Sequence, residues 1–126
     1  MISGVGTDIV QVSRIRKSYE RFGDRFARKI LAEREMSEFQ NAKAPVFFLA
    51  KRFAAKEAVA KALGTGMRQG VTFQSIQVGH DADGKPEVHL FQGAGKLAND
   101  KGIIRWHISL SDEKDHALAF VVAELA

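Results

Sequence analysis

Glu57 and Lys61 stand four residues apart in Phe53-Ala54-Ala55-Lys56-Glu57-Ala58-Val59-Ala60-Lys61-Ala62-Leu63-Gly64-Thr65-Gly66. The apolar positions here are mostly alanine, so neighbouring structure can approach the backbone closely while Lys56, Glu57 and Lys61 are held against that packed surface. Charge kept there is costly unless it is paired, hydrogen-bonded or bound to a metal. Asp8, in Gly4-Val5-Gly6-Thr7-Asp8-Ile9-Val10, is a second carboxylate for Glu57 to work with. Two carboxylates, completed by water and phosphate oxygens, suit magnesium, a hard cation that keeps part of its water shell. Each acid also has a plainer reading: Asp8 as a turn or helix-capping residue, Glu57 as a helical partner of Lys61. Gly64 and Gly66 permit either a left-handed helix end or close passage of a substrate chain. The stretch is not a phosphate-cradling P-loop, because its lysines precede the glycines and the turn ends a helix.

In Trp106-His107-Ile108-Ser109-Leu110-Ser111-Asp112, strand alternation puts His107, Ser109 and Ser111 on one face and Ile108 and Leu110 on the other. A polar strand face fits ligand contact and equally fits solvation. Ser111 lacks the surroundings of a nucleophile elbow. His80, His89 and His116 show no metal-ligand spacing.

The elements that must position these residues follow from local pattern. Met1 to Val12 reads as a strand and a turn, with Ser13 as N-cap of a helix to about Phe22. Asp24 caps a short helix over Arg25 to Leu31, and Glu33 to Ala42 forms another. Pro45 suits the first turn of the long helix that carries Glu57, and Gly64 suits its end. Phe73 to Val78 and Glu87 to Phe91 alternate around Asp83-Gly84 and predict a hairpin. A helix over Ala94 to Lys101 and a second hairpin, Ile104 to Leu110 with Ala117 to Glu124, complete the chain. This order predicts an α+β fold, helices packed on a small antiparallel sheet, in one domain over residues 1–126.

The composition is that of a globular chain: 126 residues, 45% hydrophobic and 27% charged. The absence of cysteine excludes disulfides and zinc-thiolate sites and agrees with a reducing cytoplasm. No apolar run is long enough to span a membrane, and Met1 to Val5 lacks the marks of a signal peptide. The net charge of +4 is concentrated between residues 14 and 29, where Arg14, Lys17, Arg21, Arg25 and Arg28 would share one face of an unbroken helix. Gly23-Asp24 divides that stripe into two patches. A basic face predicts an anionic partner or a solvated surface. A nucleic-acid module would expose aromatic side chains for stacking, whereas Phe47, Phe48, Phe53 and Phe120 fall in apolar contexts that read as core.

Gly6-Thr7-Asp8-Ile9-Val10, Arg52 to Ala58 continuing through Lys61 to Gly66, and His107 to Asp112 together resemble the holo-acyl-carrier-protein synthases. Order, spacing and length agree, so the resemblance covers essentially the whole chain. It implies a magnesium-dependent 4′-phosphopantetheinyl transferase of the short, homotrimeric type, cytoplasmic and acting in fatty acid biosynthesis. Such enzymes move the phosphopantetheine arm of coenzyme A to a serine of apo acyl carrier protein and release adenosine 3′,5′-bisphosphate. The resemblance assigns Asp8 and Glu57 to the metal and Lys61 to phosphate, these three being the catalytic set. It assigns Arg52, Lys43, Gly64, Gly66, His107 and Ser109 to coenzyme A, the last two acting from another subunit. Arg14 and Arg21 are assigned to the acidic carrier. Ala32 stands where family members often place a hydroxyl N-cap, a loss worth about 1 kcal/mol of local helix stability.

Overall fold

A computed structural model describes residues 1–126. Strand β1 (Ile2–Gln11) runs directly into α1 (Val12–Phe22), followed by α2 (Asp24–Ile30), α3 (Glu33–Gln40) and the long α4 (Pro45–Leu63). A 3₁₀ turn at Phe73–Ser75 leads into the hairpin β2 (Ile76–His80) and β3 (Pro86–Leu90). Helix α5 (Gln92–Asp100) and the hairpin β4 (Ile103–Asp112) and β5 (His116–Leu125) follow. The α+β expectation holds, but the strands form two sheets: an antiparallel β1-β5-β4 sheet and the separate β2-β3 ribbon.

Helix α4 is apolar on nearly every side, and a helix of that kind is a central one. Leu49, Ala54, Ala58 and Val59 are fully buried, as is the ammonium-bearing Lys56. The helix lies on β1, and two glycines make this possible. A Cβ at Gly4 would stand 2.0 Å from the Ala62 carbonyl oxygen, and one at Gly6 would stand 1.8 Å from that of Ala58. Two strand residues advance ~6.8 Å and one helical turn of four residues ~6 Å, so both contacts are made in step. Gly6→Ala is therefore expected to lose at least about 1–3 kcal/mol of stability by urea denaturation. An unchanged midpoint would mean that α4 is not seated on this strand.

The local signals differ from the structure at several element starts. Gln11, not Ser13, is the N-cap of α1, because pairing of Gln11 with His116 keeps β1 extended to that point. The Val12 amide donates to the Asp115 carbonyl instead of to a cap. Gly23, at φ 59°, breaks the helix as expected, and α2 then begins at Asp24 itself. Residues 73–75 form a 3₁₀ turn instead of strand, capped by Thr72 and Ser75. At Ala32, Glu35 Oε1 accepts the N-cap amide at 2.7 Å, so half of a capping box survives without the hydroxyl.

Candidate functional site

The glycine contacts between β1 and α4 decide where Asp8 lies. Gly4, Gly6 and Asp8 share the helix-facing side of the strand, and the next step beyond Gly6 brings Asp8 beside the turn of α4 that carries Glu57. Asp8 and Glu57 face one cavity of about 310 Å³, walled by Phe53 and by Arg14 and Phe26 from the first two helices. Lys61 leans toward the N-terminal end of its helix, as helical side chains do, and its ammonium donates to Asp8 Oδ1 at 3.1 Å and to the Thr7 carbonyl at 2.9 Å. The plain helical pairing of Lys61 with Glu57 gives way to this tertiary one.

Burial pushes the Glu57 carboxyl above the usual carboxylate range, the charge of Asp8 pushes it further, and Lys61 opposes both. A carboxylate in that state is a stronger base than an exposed one, and it gains from any added cation nearby. Asp8 and Glu57 are the pair able to hold a hard divalent cation. No three His, Cys, Asp or Glu side chains gather anywhere in the chain to hold a metal. The remaining positions around a cation would thus fall to water and phosphate oxygens, the habit of magnesium.

Lys56 and Arg52 point elsewhere and form a second polar centre. Lys56 is 0% exposed, and its ammonium donates to the carbonyls of Ile30 (2.7 Å) and Phe73 (3.0 Å) and to Glu35. Burial lowers its pKa from 10.5 to about 8, with Glu35 acting in the opposite direction. Arg52, expected from the resemblance to contact coenzyme A, is 3% exposed. Its guanidinium bonds Glu35, Glu38 and the Val78 carbonyl and lies 4.3 Å above the Phe48 ring. It is a wall of a second cavity, of about 470 Å³, together with Phe48, Lys51, His80 and Ser109. It is not a freely extended cation.

His107 and Ser109 are exposed on the outer face of the β1-β5-β4 sheet, the side turned away from α4, and Ser109, on the edge strand β4, also borders the Arg52 cavity. Within one chain they do not meet Asp8 and Glu57. His107 is hydrogen-bonded to Glu124 at 2.9 Å, a contact that holds the Glu124 carboxyl below its usual range. Thr7, Phe120 and Ser109 form one row across the three strands of this outer face, and Ile9, Leu118 and Ser111 form the next. Ile9 is 62% and Phe120 47% exposed, so Phe120 is not a core residue as its neighbours in sequence suggested. Lys43 is exposed ahead of α4, and Arg14 and Arg21 are exposed on α1. Gly64 and Gly66 take φ of 88° and 62°, and a Cβ at either would meet nothing within 4 Å.

The Lys56–Glu35 pair and the Thr7 carbonyl were not legible as partners in the sequence. The one available signal was the four-residue spacing of Arg52 and Lys56 among alanines, which puts two cations on one buried stripe. A helix of this composition cannot bury them without an acid from elsewhere.

A central helix thus presents a carboxylate and a lysine to an aspartate on a glycine-bearing strand. Residues 4–121 match the model of the 4′-phosphopantetheinyl transferase superfamily, and the chain belongs to that family. It is 53% identical over 124 residues to the holo-[acyl-carrier-protein] synthase of Neisseria meningitidis serogroup C, which spans 98% of this chain and 99% of that one. The crystal structure of the holo-[acyl-carrier-protein] synthase from Neisseria meningitidis superposes with a TM-score of 0.93 at 53% identity, covering 98% of this chain and 99% of that one. A holo-(acyl-carrier-protein) synthase from Bacillus anthracis, solved in complex with CoA (3′,5′-ADP), superposes at 0.84 with 38% identity, covering 100% and 99%. No helix is long and apolar enough to cross a membrane.

Proposed function

We propose that this chain transfers the 4′-phosphopantetheine group of coenzyme A to a serine hydroxyl of apo acyl carrier protein, releasing adenosine 3′,5′-bisphosphate. The observation that carries this reading is the pairing of Asp8 and Glu57 in one cavity with an exposed arginine, Arg14, on its rim. Asp8 and Glu57 would hold magnesium, which would supply positive charge against the diphosphate of coenzyme A and the leaving phosphate. Lys61 contributes a compact cation to the phosphate under attack. The serine oxygen forms the new bond to phosphorus, the bond from phosphorus to the bridging diphosphate oxygen breaks, and that oxygen leaves with the nucleotide. Glu57 takes the serine proton through water.

The working unit in this reading is a homotrimer with sites between subunits. The apolar outer sheet face, with Ile9, Leu118 and Phe120 exposed, supports burial against other copies. His107 and Ser109 share that face and would reach the Asp8–Glu57 cavity of a neighbouring copy. The nucleotide end of coenzyme A would then lie against Ser109 and the cavity walled by Arg52, with Lys43 available to its 3′-phosphate.

Incubation with coenzyme A, magnesium and an apo acyl carrier protein should add the mass of one phosphopantetheine to the carrier. No such gain with several carriers would sink the reading. Arg14→Glu should weaken carrier binding at least about tenfold, with a smaller effect on coenzyme A, and the difference should shrink at high salt. Equal losses for both ligands would remove Arg14 from the carrier surface.

A further inference from the structure

Lys61 already occupies the position beside Asp8 that a cation should take. We propose that Lys61 is a resident counter-ion of the carboxylate pair, displaced from Asp8 when a divalent cation binds and thereby released to the phosphate of coenzyme A. This rests on the reading of Asp8 and Glu57 as a magnesium site.

Its ammonium is held by two convergent hard oxygens, Asp8 Oδ1 and the Thr7 carbonyl. A bound metal would compete for that carboxylate oxygen. The two lysines of α4 differ in the way the proposal requires. Lys56 is fully buried and fixed by three acceptors from three segments. The Lys61 side chain is half-exposed, at 50%, while that of Asp8 is 15% exposed. A long chain therefore reaches in from solvent to neutralise a mostly buried acid. The half-exposed ammonium returns to water when the incoming cation takes its place, so the mostly buried Asp8 carboxylate is not left without a countercharge. Released from Asp8, the same ammonium gains a phosphate, and the metal and coenzyme A thereby favour each other's binding. By linkage, whatever factor coenzyme A adds to metal affinity, the metal adds to coenzyme A affinity.

The test uses the full chain and Mn²⁺ as probe, with free Mn²⁺ followed by electron paramagnetic resonance. Without coenzyme A, Lys61→Met should bind Mn²⁺ about tenfold more tightly than the wild type, the effect of removing a cation in contact with the ligand. Arg14→Gln, which removes a cation of the same cavity that has no bond to Asp8, should change the affinity far less. Coenzyme A should tighten Mn²⁺ binding to the wild type more than to Lys61→Met. In protein labelled with ¹⁵N-lysine, Mg²⁺ should shift the Lys61 ammonium resonance and leave that of Lys56 in place. Lys61→Gln repeats the comparison if the methionine variant fails to melt as a folded protein. Mn²⁺ binding that is no tighter in either Lys61 variant, or equally tighter in Arg14→Gln, overturns the counter-ion role while leaving the metal site standing. Absence of Mn²⁺ binding in both wild type and variants overturns the metal site itself, and the counter-ion role with it.

Discussion

Glu57→Gln is expected to lower turnover by about 10²–10⁴-fold and at the same time to raise the melting temperature at neutral pH. Both effects come from one feature, a carboxylate placed partly out of water beside the like charge of Asp8. The glutamine keeps the shape but neither accepts the serine proton nor supplies a charged ligand. The stability effect follows from linkage. The folded protein holds the Glu57 proton more tightly than the unfolded chain, so above both pKa values the ionised group is a full cost to folding. Below the unfolded value near 4.3 both states are protonated and the cost disappears. The variant should thus melt higher than wild type at pH 7.5, by no more than about 1 kcal/mol once solvent screening is allowed for, and the gain should fade near pH 4. Paired melting curves and a carrier mass assay measure the two effects. Normal turnover would remove Glu57 from both proposed roles, and an unchanged melting temperature at pH 7.5 would mean that neither burial nor Asp8 penalises its charge in the folded protein.

Lys56→Met should destabilise the protein by about 3–5 kcal/mol, the cost of breaking a buried ion pair from one side. Methionine fills much of the volume but leaves the Ile30 and Phe73 carbonyls without their donor and Glu35 without its nearer cation. Arg52 remains bonded to Glu35, which favours the lower end of that range. The pH dependence has a definite sign. Below pH 8 the lysine is charged in both states and its burial is a full penalty. Between about 8 and 10.5 the unfolded chain binds more protons, so the wild type gains stability with rising pH relative to Lys56→Met. Urea titrations at pH 7 and pH 10 test this. A loss below about 1 kcal/mol at pH 7 would mean that the network contributes almost nothing net, as some buried pairs do.

Element types were largely legible because their signals are local. Pro45 at the first turn and Gly64 in the left-handed region bracket α4 as the residues predict. Asp83-Gly84 and the Ser111 to Asp115 region mark turns between alternating runs. Element starts were less legible where a tertiary partner competed with a local cap. Ser13 is a good capping residue, yet β1 continues past Val10 because β5 supplies a partner for Gln11.

The sequence by itself determined the chemistry on offer: which acids, which lysine, which basic helix, and the alanine and glycine residues that let a helix and a strand meet. Tertiary structure alone decided the pairing. Asp8 and Lys61 are 53 residues apart and Lys56 and Glu35 are 21 apart, and no periodicity links groups at such separations. Two lysines five positions apart on one helix received opposite fates, one sealed in the core and the other left at the cavity edge. The reason is angular: five residues turn a helix by about 500°, which leaves the side chains about 140° apart. Lys56 therefore faces Glu35 beneath α3, while Lys61 faces Asp8 on β1, where the missing Cβ atoms of Gly4 and Gly6 bring the strand close enough for that contact.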